Sequence, residues 1–185
     1  IVVNPENSNE IYVAAMGALW GDNEERGVFK SMDGGQTWEK VLYVNPRTGC
    51  ADLLMDPRNP SVLYASMWEF RRTGWSFDSG GENSALYKSI DGGKTWDKIH
   101  KGFPEGKLGR MGIALAPSKP ETLYTVIEAE KKEDKGRDRR NKKEKKLVRN
   151  EKKMMVSSVK RGIPVVCSVS EVGDRTGESV LLSPA

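Results

Sequence analysis

An eight-residue phrase occurs twice in this chain, as Ser31-Met32-Asp33-Gly34-Gly35-Gln36-Thr37-Trp38 and as Ser89-Ile90-Asp91-Gly92-Gly93-Lys94-Thr95-Trp96, 58 residues apart. A repeat in register restricts the fold more tightly than any composition does, because each copy must form the same unit and bury its apolar face against a neighbour. The local chemistry reads as a hairpin. Asp-Gly-Gly between two β-forming runs supplies the positive φ that tight turns demand, and the Asp carboxylate accepts backbone N–H groups across its own turn. The Trp adds a large apolar body that pins the hairpin to a core. Ser31, Asp33, Gly35, Thr37 and Trp38, with Ser89, Asp91, Gly93, Thr95 and Trp96, are therefore expected to be structural rather than catalytic.

A second signature precedes each hairpin and has three copies: Asn4-Pro5 to Ala14, Asp56-Pro57 to Ser66, and Ala116-Pro117 to Val126. Each is a Pro turn followed by β-formers around Tyr12, Tyr64 or Tyr124. The second copy is complete. It predicts strands at about Cys50–Met55, Val62–Trp68, Ala85–Ile90 and Thr95–Ile99. Four antiparallel strands in about fifty residues, repeated, is the period of a β-propeller blade. A β-sandwich is the competing all-β architecture, but sandwiches do not repeat their turn sequences in register.

The phrase Ser-x-Asp-Gly-Gly-x-Thr-Trp resembles the Asp-box, or BNR repeat, of sialidases, sortilin-type receptor domains and many bacterial propellers. The stretches Tyr12–Trp20, Asn23–Lys30, Trp68–Gly81 and Leu108–Ala114 resemble bacterial sortilin-like proteins, often labelled glycosyl hydrolase BNR repeat. The resemblance covers residues 1–136 and implies about two and a half blades: 1–48, 49–107 and a partial 108–136. It also implies an extracellular or periplasmic setting. Two and a half blades cannot close a ring, so exposed edges should make the chain associate when expressed alone.

After Gly136 the pattern stops. Lys131–Lys153 holds thirteen Lys or Arg against five Asp or Glu, while the whole chain carries only +4. Removing that run leaves a mildly acidic remainder, so the basic balance is no nucleic-acid signal for the whole chain, and the run lacks interleaved aromatics. Residues 137–185 read as an irregular or helical charged tail, disordered or displaced from the native pattern by a shift of reading frame near Arg137.

Propeller geometry sorts the loops. The one–two and three–four turns share one face; the two–three and four–one loops share the other, where propellers usually bind ligands. That face is expected from Trp20–Gly27, Trp68–Ser84, Tyr43–Gly49 and Lys101–Arg110. Its candidate ligand-binding residues are Trp68, Arg71, Arg72, Trp75 and Arg110, a mixture suited to sugar faces, carboxylates or a protein partner. In a bland arrangement, Trp68 and Trp75 pack the loop down and Arg71 or Arg72 pairs with Glu69 or Asp78. His100 reads as a surface turn residue. Two cysteines give no metal spacing, no cofactor loop is present, and nothing approaches the ~18 apolar residues of a membrane span. The expected function is binding or scaffolding of a protein, peptide or glycan alongside further blades. The alternative is a fragment of a sialidase-like glycoside hydrolase, whose paired catalytic carboxylates are not evident here.

Overall fold

A computed structural model describes residues 1–99 and 101–129, together with the backbone of 153–155 and 165–166. Among these residues there are strands and turns and no helix. Sheet one contains β1 (Val2–Asn4), β2 (Asn7–Ala15), β3 (Gly27–Ser31) and β4 (Glu39–Leu42), each antiparallel to the next. Sheet two contains β5 (Thr48–Asp56), β6 (Asn59–Arg72), β8 (Ala85–Ser89) and β9 (Asp97–Ile99), with β7 (Phe77–Ser79) pairing the far end of β6. Sheet three pairs β10 (Leu108–Ala116) with β11 (Lys119–Ala129). At the edge of β11 lie β12 (Lys153–Met155), antiparallel, and β13 (Val165–Val166), parallel. The protein is all-β, as the sequence predicts.

The sheets are held face to face by period-two alternation. Along β6, Leu63, Ala65 and Met67 join Tyr12, Val28 and Leu42 in a core shared with sheet one. The intervening Tyr64 joins Leu86, Met111, Ile113, Leu123 and Ile127 in a core shared with sheet three. Both faces of sheet two are thus covered, which is why β6 reads as an almost unbroken apolar run instead of a polar-apolar alternation. Polar stitches register sheets two and three. Ser66 Oγ donates to Met111 O at 2.9 Å, and Ile113 N donates to Asp52 Oδ2 at 3.1 Å.

The two Asp-Gly-Gly turns are built alike. Ser31 Oγ donates to Asp33 Oδ1 (2.7 Å) and accepts from Gly35 N (2.8 Å). Asp33 Oδ1 also accepts from Gln36 N and Thr37 N, both 2.9 Å, and Oδ2 accepts from Thr37 Oγ1 at 2.6 Å. Ser89, Asp91, Gly93 and Thr95 repeat the set: 2.8 Å for Ser89 Oγ to Asp91, 2.9 Å for Gly93 N to Ser89, and 2.6 Å for the Thr95 hydroxyl. The glycines supply the left-handed backbone, φ 73° and 95° at Gly34 and Gly35, and 71° and 82° at Gly92 and Gly93. Donors converging on each carboxylate, led by the following Thr, hold Asp33 well below the usual carboxylate range and Asp91 down to about 2. Each turn also ties into the Pro turn of its own sheet, Gly34 N to Asn9 O (3.0 Å) and Gly92 N to Ser61 O (2.9 Å).

The second turn docks on sheet one. Tyr12 Oη lies 2.8 Å from Gly92 O and 2.7 Å from Glu10 Oε1. Lys30 Nζ donates to the same Gly92 carbonyl at 3.1 Å and pairs with Glu10 at 2.7 Å. Trp96 packs against the core between sheets one and two, whereas Trp38, with no sheet before it among the described residues, is 43% exposed.

Three details depart from the sequence reading. β6 does not end at Trp68 but runs on to Arg72, because Phe77–Ser79 returns along it; the expected Trp68–Ser84 loop is largely a β-arm. Its tip is closed by Thr73 N to Ser76 O (2.9 Å) and Ser76 N to Thr73 Oγ1 (3.0 Å). The fourth strand starts at Asp97, since Thr95 is spent on Asp91. Within the stretch expected to be irregular or helical, the apolar pairs Met154–Met155 and Val165–Val166 fall in strands. His100 and the rest of 130–185, with nearly all of the charge run, lie outside the described residues.

Candidate functional site

The Asp-Gly-Gly turns mark one end of the strands; the arm formed by the end of β6 and β7 marks the other. Four arginines and five aromatic rings gather there from all three sheets. The β2–β3 loop brings Trp20, Asp22 and Arg26, the arm brings Trp68, Phe70, Arg71, Arg72, Trp75 and Phe77, and β10 brings Arg110.

Arg26 is the buried element. Its residue is 1% exposed, and its guanidinium lies 4.5 Å from the centroid of Phe70. Nη2 donates to Ala18 O (2.6 Å) and Gly21 O (3.1 Å), which fixes the loop around it. Gly17, at φ +71°, leaves room for the stem: a Cβ there would stand 2.4 Å from Arg26 Cγ. Nε and Nη1 have no hydrogen-bond partner among the described residues. Burial pulls the Arg26 pKa below its ordinary value, opposed by Asp22 and reinforced by Arg71. An interior guanidinium with two unanswered donors is a costly arrangement, since buried charges are ordinarily paired.

The other three arginines are held differently. Arg71 Nη1 pairs with Asp22 Oδ1 at 2.8 Å, linking the arm to sheet one. Arg72 sits between two rings, 5.8 Å from Trp20 and 5.6 Å from Phe77. Arg110 lies 5.7 Å over Trp68. Such stacking orients guanidinium groups without using their N–H donors, which stay available to a carboxylate or phosphate. The nearby acidic side chains are engaged at the base. Glu69 Oε2 accepts from Asn83 N (3.2 Å) and Nδ2 (2.9 Å), and Glu128 Oε2 accepts from Ser79 Oγ and from Arg110 N (3.2 Å).

The residues singled out from sequence separate into two kinds. Trp68 is buried, 8% exposed, stacked on Phe70 at 4.6 Å and edge-on to Phe77 at 5.8 Å; it supports the site from beneath. Trp75 stands at the arm's tip, 92% exposed, packed on nothing. Arg71 pairs with Asp22, not with Glu69 or Asp78, because the arm crosses to the neighbouring loop. Arg26, the deepest member, carries little sequence signal. Its only local signal is its place directly before Gly27, at the start of β3. Among the described residues, no group of His, Cys, Asp and Glu is arranged to hold a metal ion, and no helix is long and apolar enough to cross a membrane. No family model matches the sequence, and no curated protein is significantly similar to it.

Proposed function

We propose that this chain is a binding module of an Asp-box β-propeller, presenting the arginine and aromatic face at the arm end of its sheets to a carboxylate-bearing peptide, protein or glycan, in an extracellular or periplasmic setting. The observation that carries the reading is the gathering of guanidinium groups and rings from all three sheets at this end, with Arg71 tied to Asp22 and Arg26 buried beneath against Phe70. The ring-stacked Arg72 and Arg110 add donors above it, and the exposed Trp20, Trp75 and Phe77 offer flat surfaces to sugar rings or apolar side chains. Three sequential sheets packed face to face, each opening with a Pro turn and two bearing Asp-Gly-Gly turns, support the propeller.

Arrays of acidic peptides and of uronate- or sialate-bearing glycans test it. A hit should weaken at least tenfold in Arg72→Ala, equivalent to about 1.4 kcal/mol, and weaken further with salt. Hits indifferent to Arg72→Ala and to Arg110→Ala would remove the site from consideration. Steady turnover of a glycoside panel, lost in Arg110→Ala, would replace binding with the glycoside hydrolase reading.

A further inference from the structure

We propose that the arm end binds an extended peptide carrying two acidic side chains four residues apart, with an apolar side chain midway, the spacing of Arg72 and Arg110 setting the match. The inference rests on that face being a carboxylate-binding surface, and it names the ligand. The contacts there form one ladder across the three sheets. Arg110 of β10 lies 5.7 Å over Trp68, and Trp68 is edge-on to Phe77 at 5.8 Å. Arg72 then lies 5.6 Å from Phe77 and 5.8 Å from Trp20 of the β2–β3 loop.

The pleat of β6 fixes the spacing along the ladder. Period two places Trp68, Phe70 and Arg72 on one side of the strand, and the Trp68–Phe70 stack at 4.6 Å follows from it. Arg71 alternates to the other side and is held by Asp22 at 2.8 Å. Arg110 is anchored over Trp68, whereas Arg72 stands four residues farther along, where Phe77 is its cross-strand partner. At about 3.3 Å per residue, the two anchor points are roughly 13 Å apart. One carboxylate cannot bridge that distance. An extended peptide has the same rise and the same alternation, so acids at its first and fifth positions meet Arg110 and Arg72 on one side. The third side chain then points to that side as well, toward Phe77, which lies between the two arginines and is 46% exposed. Both arginines are exposed, and a guanidinium over a ring keeps its planar fork of donors for a carboxylate. This match in rise and alternation favours a peptide over a sugar chain.

The full chain is titrated against a fluorescein-labelled, amide-capped peptide, Ser-Glu-Thr-Leu-Thr-Glu-Ser, and anisotropy is followed. Saturable binding is expected. Arg72→Gln and Arg110→Gln in the protein, and Glu-to-Gln at either acid of the peptide, should each weaken it by about fivefold or more. The isomer Ser-Glu-Leu-Glu-Thr-Thr-Ser has the same charge and composition with its acids two apart, and should bind about fivefold more weakly or worse. Equal affinity of the two peptides, or binding indifferent to either arginine, overturns the proposal. Trigalacturonate, followed by calorimetry, separates the two levels of the reading. If it binds through both arginines while neither peptide binds at about 1 mM, the carboxylate-binding face stands and the peptide ligand is overturned. If none of the three binds, both are overturned.

Discussion

Tyr12 and Tyr64 hold matching places in successive sheets, and deleting one hydroxyl at a time should show how differently they are used. Tyr12 Oη has two acceptors, the Glu10 carboxylate at 2.7 Å and Gly92 O at 2.8 Å, in a residue buried completely. Hydrogen bonds contribute about 0.5–1.5 kcal/mol net, more when one partner is charged. Tyr12→Phe leaves neither acceptor orphaned, since Lys30 still reaches both and Asn4 Nδ2 still reaches Glu10 at 2.6 Å. The expected loss is therefore about 1–2 kcal/mol, not the larger penalty of a stranded buried polar group. For a chain of this length that is roughly 3–6 °C in Tm. Tyr64 is as buried as Tyr12 but its hydroxyl has no hydrogen-bond partner among the described residues, so Tyr64→Phe should fall within about 0.5 kcal/mol of the parent. Urea unfolding followed by tryptophan fluorescence measures both, with Trp96 in the affected core as reporter. A cycle with Lys30→Met should show coupling of at least about 0.5 kcal/mol to Tyr12. Equal losses at the two tyrosines, or none at Tyr12, would refute the claim that Gly92 docking holds sheet two onto sheet one.

Acid should loosen the turns. Thr95 and Ser89 hold the Asp91 carboxyl down to about 2 from an ordinary 3.8, so its contribution is complete above about pH 4 and drains away as pH falls toward 2. Asp91→Asn should flatten the pH dependence of the urea midpoint in that window, and an unchanged slope would contradict it. Cys50 is 1% exposed, and burial pushes its thiol up to about 12. In a Cys167→Ser background, Ellman's reagent should react only after unfolding, so prompt labelling of folded protein would show that the sheet one–sheet two core is open. Trp75→Ser should move stability by less than about 0.5 kcal/mol while reducing binding of any ligand found for the arm. A large drop in Tm would mean the ring packs after all.

What could be read from the sequence was what the chain does to itself over a few residues. Asp33 finds all its donors between Ser31 and Thr37, so the turn, its glycines and its flanking strands are visible in eight letters. The end of β6 is not legible locally, because Glu69, Arg71 and Arg72 look like loop when the partner strand is three residues long and follows a four-residue turn. Arg26 was invisible for a different reason. Its surroundings, Ala18, Gly21 and Phe70, come from its own loop and from a strand of the next sheet, and a lone Arg in a charged loop looks solvated. The three tyrosines at the Pro-turn signature read as β-formers. That one of them grips a carbonyl 80 residues away depends on how sheets stack, which no local period encodes.

The span from Tyr12 to Gly92 also bears on synthesis. Residues leave the ribosome in order, and N-terminal units fold first. Sheet one, with Tyr12 and Lys30 in place, is complete before Gly92 emerges, so the second hairpin lands on a prepared surface. Sheet two carries both parts: the turn that sheet one holds, and a cross-strand Tyr64–Lys88 pair like the Tyr12–Lys30 pair that holds it.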